Sequence, residues 1–252
     1  MKISAKTFDP VFRVIRRAVD ICYPRTEIIG LENIPDEPSI LVGNHSQMHG
    51  PIVCELFLPD NFYTWCAGQM MHLRDVPSYA FNDFWSRKPW YSRWFFHLLS
   101  FLIAPISAIV FNNARTIPVY HDNRILTTFK TTVSKLCNGN NIVIFPECDT
   151  EFNHIVYEFQ DRFIDIAKPY FKKTGKELSF VPMYIAPELK KVFIGNPTRF
   201  CASAPIAEER ERIRTYLVRE ICNTAINLPE HKVVPYRNVP KKFYPSNTPK
   251  ER

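Results

Sequence analysis

The sequence predicts an α/β protein, an αβα sandwich with a mostly parallel sheet, and three features support this prediction. Short apolar runs typical of strands occur at 27–30, 39–43, 141–145, 178–185 and 191–194. Turn residues such as Asn138-Gly139-Asn140 and Gly195-Asn196-Pro197 flank these runs. Longer segments expected to be helices lie at 123–137, 158–173 and 206–226. Apolar strands that alternate with helices indicate a parallel sheet covered on both faces.

Composition narrows the class of protein. The chain has 252 residues, 46% of them hydrophobic and 23% charged, as expected for a globular domain. The net charge of +7 favours anionic partners, such as lipid headgroups, phosphorylated substrates or nucleic acid. The seven cysteines are scattered, without a C-x-x-C pair, which argues against a disulfide framework or zinc ribbon. The start lacks a secretory pattern, and we expect a cytoplasmic location.

The two ends of the chain differ from the part between them. We predict a basic amphipathic helix in 1–28, capped by Asp9, that is either an interfacial membrane anchor or a surface helix packed on the domain. The main domain is expected at 29–228. The segment 229–252 is rich in proline and basic residues, and we expect a loosely ordered surface arm.

One segment inside the main domain, 94–111, is almost entirely apolar. Its 18 residues are at the lower limit for a membrane span, and Pro105 lies within it. We expect a buried helix or a helix that dips into one leaflet, rather than a full span. Tryptophans that precede it, Trp85, Trp90 and Trp94, suit an interfacial aromatic belt.

Two residues with catalytic chemistry directly follow predicted strands. His45 comes after the strand 39–43, and Glu147 comes after 141–145. In parallel sheets, ligands bind at the carboxyl ends of strands. A histidine in such a cleft titrates near neutral pH and can act as a general base for an alcohol.

Four blocks of sequence then resemble, in order, the motifs of the PlsC-like glycerolipid acyltransferase family. Asn44-His45-Ser46-Gln47 resembles the opening of the N-H-x-x-x-x-D motif, and 116–121 is similar to the second block. Phe145-Pro146-Glu147 resembles the start of the F-P-E-G-T-R block, and 180–183 is similar to the Val-Pro element. The blocks span residues 40 to 185.

The resemblance implies an αβα acyltransferase domain at the cytoplasmic face of the membrane, peripheral or monotopic. His45 would take the proton of a hydroxyl on a lysophospholipid or related acceptor, which then attacks acyl-CoA or acyl-ACP. Backbone donors would stabilise the oxyanion, and Glu147 would help to hold the acceptor. No cofactor or metal is implied. The implied substrate-binding residues are Asn44, His49, Arg115, His121, Arg124, Phe145, Pro146, Asp149 and Thr150.

The chain also departs from the family pattern at the base. The motif aspartate, which fixes the imidazole, falls on Gly50. In serine proteases, replacing the analogous aspartate lowers turnover by about four orders of magnitude. Candidate replacements are Asp149, Glu147 and Asp122.

Both phosphate-binding arginines of the family are missing as well. His121 takes the place of one, and Cys148-Asp149-Thr150 replaces the Gly-Thr-Arg of the other. Each charge-assisted hydrogen bond contributes roughly 1.5–3 kcal/mol. Either Arg115, Arg124 or Arg162 compensates, or the acceptor carries no phosphomonoester. We favour an acceptor other than plain lysophosphatidate.

Other interpretations rank below acyl transfer. The His45 and His49 pair has metal-ligand spacing on a helix, but no third ligand is evident. Cys148 beside Glu147 is expected to pack rather than to act as a nucleophile. A catalytically silent relative that binds lipid or acyl carrier is the main alternative. A nucleic-acid binder rests on net charge alone and is ranked last.

Overall fold

The computed structural model describes residues 10–86, 88–120 and 122–248, except for the side chain of Asp149. Its helices are α1 Pro10–Cys22, α2 His49–Phe57, α3 Val76–Ala80, α4 Arg93–Asn113, α5 Ile125–Cys137, α6 Ala167–Thr174 and α7 Ile206–Ile226. Its strands are β1 Glu27–Ile29, β2 Ser39–Gly43, β3 Phe62–Ala67, β4 Thr116–Val119, β5 Asn141–Ile144, β6 Glu147–Phe152, β7 Tyr157–Phe159, β8 Ser179–Ala186, β9 Lys191–Ile194 and β10 Thr198–Arg199.

The chain folds as two compact units. The helical unit consists of Thr64–Phe129 with the N-terminal segment through Pro24. The sheet unit consists of Arg25–Tyr63 and Lys130–Arg252.

The sheet unit holds five strands in the order β1-β9-β8-β2-β5, with β10 added on β8. β2 runs parallel to both β5 and β8, and β1 runs parallel to β9. Only β9 and β10 pair antiparallel with β8. The α/β class and the mostly parallel sheet predicted from the sequence are confirmed.

The strands β2, β5 and β8 lie inside the protein because both of their faces are apolar. Every residue of β2, β5 and β8 is buried, as expected for parallel strands covered on both sides. At the start of β2, the backbone N–H of Ser39 donates to Oδ1 of Asn141 at 2.8 Å. This buried bond fixes the register of β2 against β5, so that Val42 lies opposite Ile144 and both strands end together.

The helical unit contains the parallel pair β3 and β4 and is built around α4. One side of α4 packs on α3 through a small core that includes Met70, Val76 and Ala104. α1 also contacts α4. The other side of α4 carries a series of exposed apolar side chains: Trp94, Phe95, Leu98, Phe101, Leu102 and Ile106.

Within the described residues, one helical stretch, Trp90–Asn113, is long and apolar enough to cross a membrane. Only 17% of its most apolar window is buried. The expectation of a buried helix at 94–111 is therefore wrong, and the expectation that this helix enters a leaflet stays a prediction.

Several elements match their predicted ranges and two do not. The predicted helices 123–137 and 206–226 correspond to α5 and α7. The predicted helix 158–173 is wrong in its first half, because Tyr157–Phe159 pairs with β6 in a hairpin and a 3-10 turn, Arg162–Ile166, follows. Asp9, predicted to cap the first helix, lies outside the described residues. The three domain boundaries stay predictions.

The tail after α7 is the second element that differs from its prediction. His231, Val233 and Asn247 are buried, with at most 3% of each side chain exposed. The N–H of His231 donates to Oδ1 of Asn247, and the N–H of Asn247 donates to the carbonyl of His231. Asn247 also donates to the carbonyl of Ala225 in α7, and His231 bonds to the hydroxyl of Tyr184 in β8. The expectation of a loosely ordered surface arm is wrong for the described part of the tail, because these bonds join its two ends and fix them to α7 and β8.

Candidate functional site

The candidate site lies where β2 and β5 end. Asn44 and His45 follow β2 directly, and Phe145, Pro146 and Glu147 follow β5. Because the strands are parallel and adjacent, their carboxyl ends bring these two motif segments together. The Val-Pro element is also adjacent, since Pro182 of β8 lies opposite Val42 of β2. Three of the four sequence blocks thus meet on neighbouring strands.

Asn44 fixes the end of β2 to β8. Its Nδ2 donates to the carbonyl of Ile185 at 3.0 Å, and its Oδ1 accepts the N–H of the same residue at 2.7 Å. Nδ2 also donates to Oγ of Ser46 at 2.7 Å. A buried amide bonded in this way is held rigidly. Asn44 therefore shapes the loop that carries His45.

Glu147 holds the same loop from the β5 side. Its Oε2 accepts the backbone N–H of His45 at 2.6 Å, and its Oε1 accepts the N–H of Tyr157 at 2.9 Å. The side chain is 5% exposed. Burial raises the pKa of Glu147 to about 7, although both N–H groups favour the carboxylate. The carboxyl group contacts the backbone of His45 and not its ring.

The imidazole of His45 packs against two aromatic rings. The Phe145 ring is 5.1 Å away and the Tyr236 ring 5.5 Å away, each in an edge geometry. The residue is half-buried. Burial lowers the pKa of His45 to about 4. Polar backbone groups of Gln47 and of His45 itself raise this pKa, but by less than burial lowers it. The ring is therefore neutral at neutral pH.

Among the side chains that the structure describes, no carboxylate binds the His45 ring. Nδ1 of His45 is buried and has no hydrogen-bond partner among the residues that the structure describes. Glu147 uses its oxygens elsewhere, and Asp122 pairs with Arg124 in the helical unit. Asp149, the third candidate, has a side chain outside what the structure describes.

Position 50 lacks room for the missing aspartate. The N–H of Gly50 donates to the carbonyl of His45 at 3.1 Å. A Cβ atom at Gly50 would lie 2.5 Å from that carbonyl oxygen and 3.0 Å from the Phe145 ring. A side chain at this position therefore requires the His45 loop to shift.

The turn between His45 and α2 has an unusual backbone. Ser46 and Gln47 both adopt left-handed conformations, with φ of 48° and 54°. Each such residue costs roughly 1–3 kcal/mol and persists only where the surroundings hold it. His49 then opens α2, and burial lowers its pKa, with a further contribution from the nearby charge of Lys241.

The remaining predicted residues fall into three groups. Thr150, on the β6–β7 hairpin, donates to Oε2 of Glu158 at 3.1 Å. Arg115 and Arg124 belong to the helical unit, where Asp122 binds the Arg124 guanidinium through both of its oxygens. His121 lies outside the described residues, and Arg162 is exposed on its 3-10 turn.

Sequence reasoning missed the contribution of the tail to this site. Tyr236, Arg237 and Tyr244 all contact residues of the His45 loop or its hairpin. A run of aromatic residues among the prolines was the only available signal. Within the described residues, no group of three His, Cys, Asp or Glu side chains is arranged to hold a metal ion.

The chain was compared with protein families, curated proteins and solved structures. No protein-family model matches the sequence, and no curated protein matches it. Among solved structures, the fold is similar to the 1-acyl-sn-glycerophosphate acyltransferase PlsC from Thermotoga maritima, with 17% identity and a TM-score of 0.49. The similarity covers 91% of this chain and 86% of that chain. At this score it supports no conclusion about activity or substrate.

Proposed function

We propose that the protein is an acyltransferase that moves a fatty acyl chain from acyl-CoA or acyl-ACP to a hydroxyl of a lysophospholipid or related lipid. One observation carries the proposal. Motif segments about 100 residues apart in sequence end on adjacent parallel strands, and Glu147 of one segment binds the backbone of His45 in the other. A pairing of this kind is what two blocks of one active site require.

His45 is the proposed general base. A neutral imidazole accepts the acceptor's hydroxyl proton while the hydroxyl oxygen attacks the thioester carbonyl. The tetrahedral intermediate then expels the thiolate, which takes the proton back from the imidazolium. Because Nδ1 is buried, we assign proton transfer to Nε2. A pKa near 4 makes this ring a weak base, and its catalytic contribution depends on orientation.

Glu147 is proposed as a positioning residue rather than as a ligand of the acceptor. Both of its oxygens already accept backbone N–H groups, one from His45 itself. Glu147 is also only 5% exposed, so a substrate hydroxyl has little access to its remaining lone pairs.

The acceptor is proposed to lack a phosphomonoester. The sequence lacks both arginines of the family pattern, and Arg124 is already paired with Asp122. We therefore expect acylation of neutral or phosphodiester lysolipids in preference to lysophosphatidate. Competition between lysophosphatidate, lysophosphatidylcholine and monoacylglycerol for one acyl-CoA tests this, and a clear preference for lysophosphatidate rejects it.

We propose that the protein associates with a membrane through α1 and α4. α1 and α4 belong to the same unit and contact each other, and both expose apolar side chains such as Val14 and Phe101. Arg13, Arg16 and Arg17 on α1 suit an anionic lipid surface. We propose a peripheral or monotopic position at the cytoplasmic face of the membrane.

A second candidate is a relative that binds an acyl thioester without turnover. Nδ1 of His45 has no partner among the described residues, and a Cβ at Gly50 would clash with the His45 carbonyl; both observations favour this candidate. It differs from the first candidate in one measurable respect, because it predicts saturable binding with no thiol release.

The test compares His45→Asn with a matched histidine variant. His154 is exposed and has a left-handed backbone, which asparagine tolerates, so His154→Asn is the control. Purified proteins are incubated with acyl-CoA or acyl-ACP and mixed lysolipids, and thiol release and acylated product are measured. We expect His45→Asn to lower kcat/KM by about two to four orders of magnitude. Full activity of this variant would reject His45 as the base.

A further inference from the structure

The tail of the chain forms a closed loop at the candidate site. The tail loop, residues 231–247, is joined at its base by the two hydrogen bonds between His231 and Asn247, of 2.9 and 3.1 Å. Asn247 also donates to the carbonyl of Ala225 in α7 at 2.8 Å. The ends of the loop are thus fixed to the body of the sheet unit.

The middle of the tail loop binds the strained turn after His45. Nε2 of Gln47 donates to the carbonyl of Arg237 at 3.1 Å, and Oη of Tyr244 donates to Oε1 of Gln47 at 3.2 Å. Both polar ends of the Gln47 amide are therefore occupied by the tail loop. Since Gln47 itself has a left-handed backbone, these two bonds help to hold it there.

The tail loop also supplies one of the two rings around the imidazole. Tyr236 packs edgewise on His45 with ring centroids 5.5 Å apart, and Phe145 is the second such ring at 5.1 Å. Tyr236 also contacts the Tyr157 ring, with centroids 6.2 Å apart. Aromatic edges restrict the rotation of an imidazole and exclude water from it, although they offer Nδ1 no acceptor.

We propose that the tail loop orients the imidazole of His45 in place of the missing carboxylate, with Tyr236 and Gln47 as its positioning residues. That this orientation serves catalysis rests on the proposed function, whereas the orientation itself can be tested without any acyl transfer. Tyr236 fixes the ring by packing, and Gln47 fixes the turn that carries the ring. Release of the loop then frees the ring to rotate and exposes it to water.

The first experiment needs no acyl transfer. The pKa and tautomer of His45 are measured by NMR in protein labelled with ¹⁵N-histidine, and the His45→Asn spectrum identifies its signals. Tyr236→Ala removes the ring and is expected to move the His45 pKa from about 4 towards its ordinary 6.5. Tyr236→Phe keeps the ring and should leave the pKa unchanged.

The second variant tests the Gln47 contact. Tyr244→Phe deletes the hydroxyl that donates to the side-chain amide oxygen of Gln47. Tyr216→Phe is its control, because the Tyr216 hydroxyl likewise donates one hydrogen bond to an amide oxygen, the backbone carbonyl of Asn196, at 3.0 Å. We expect Tyr244→Phe to shift the His45 signals and to lower kcat about tenfold with KM little changed. Tyr216→Phe should do neither.

The outcomes separate the two proposals. If the wild-type protein transfers no acyl group but Tyr236→Ala raises the His45 pKa, the tail loop holds the ring and the proposed function fails. Folded Tyr236→Ala and Tyr244→Phe with wild-type His45 signals would overturn the tail-loop inference. If Tyr236→Ala does not fold, Tyr236→Leu and Tyr244→Phe decide the question by the same signals.

Discussion

Two regions depart from the ordinary rule that polar side chains are exposed and apolar ones buried. The strand ends of the sheet unit bury polar side chains, whereas the outer side of α4 in the helical unit exposes apolar ones. At the strand ends, Asn44 and Glu147 are polar, yet only 1% and 5% exposed. On α4, Trp94 and Phe101 are apolar, yet 69% and 64% exposed. Buried polar groups and large exposed apolar patches are the informative exceptions in a fold.

The two exceptions differ in how they are compensated. Asn44 and Glu147 find their hydrogen-bond partners inside the sheet unit, mostly backbone N–H and C=O groups. On the outer side of α4, Trp94 and Phe101 stay exposed among the residues that the structure describes, and we propose that lipid covers them. Substitutions at the strand ends should therefore change stability, and substitutions on α4 should change lipid binding.

The largest effect is expected for Glu147→Ala. This change leaves the buried N–H groups of His45 and Tyr157 without their acceptor, and each unsatisfied group costs about 1–3 kcal/mol. We expect the free energy of unfolding to fall by roughly 2–6 kcal/mol, measured by urea denaturation. Glu151→Ala, an exposed glutamate of the same hairpin, is the control. Equal losses for the two variants would contradict the anchoring role.

The next effect concerns pH, and two groups act in opposite directions. Glu147 has a pKa of about 7 in the folded protein against an ordinary 4.5, so its proton is held more tightly in the native state and stability falls as pH rises between these values. His45 has a pKa of about 4 against 6.5, so the unfolded chain holds its proton more tightly and stability rises with pH across that window.

Because the two windows overlap, we expect the unfolding free energy of the wild-type protein to change little between pH 4.5 and 6.5. Removing one of the two groups reveals the pH dependence of stability that the other causes. His45→Asn should lose stability as pH rises and Glu147→Gln should gain it, each by at most about 3 kcal/mol. Urea unfolding at a series of pH values measures both slopes. Identical slopes in the two variants would show that neither group is perturbed.

The two regions also differ in what the sequence reveals. His45 and Glu147 were predictable because two apolar runs of strand length end at them, and ends of adjacent parallel strands meet. The apolar run of α4 predicts a helix. Its exposure is not predictable, because buried helices and membrane helices have the same composition.

The tail loop and the β6–β7 hairpin were not predictable for another reason. A proline-rich basic segment is typical of disorder, and the bonds that order it join Gln47 to Arg237 and Tyr244, almost 200 residues away in sequence. The three-residue strand Tyr157–Phe159 is too short to interrupt a helical pattern and forms only by pairing with β6. Both elements depend on partners that local patterns do not identify.

On α4, Phe101→Glu should leave stability nearly unchanged and weaken binding to vesicles of phosphatidylcholine and phosphatidylglycerol. Burying a phenylalanine side chain contributes about 1.5–3 kcal/mol, which corresponds to a loss of roughly tenfold or more in binding. Cosedimentation with vesicles measures it. Leu126→Glu is the control, because Leu126 is an equally exposed apolar residue on α5, at 64%. Equal losses for both variants would mean that α4 is not the lipid-binding surface.

The smallest effect is expected at Gly50, which lies in the same strand-end region. A Cβ atom there meets the His45 carbonyl at 2.5 Å, so Gly50→Ala must displace the loop that Asn44 and Glu147 hold. Overpacking of this kind costs about 1–3 kcal/mol. Gly175→Ala is the control, since its Cβ meets nothing within 4 Å and its cost comes from φ of +70° alone.

Both glycine variants should therefore lose stability in urea, but only Gly50→Ala should also shift the NMR signals of His45. Gly50→Asp introduces a carboxyl group close to His45, yet we expect it to lower stability and activity together, because its Cβ already meets the His45 carbonyl and the Phe145 ring. A gain of activity at unchanged stability would show that the loop accommodates a carboxylate, and that aromatic packing is dispensable for orienting His45.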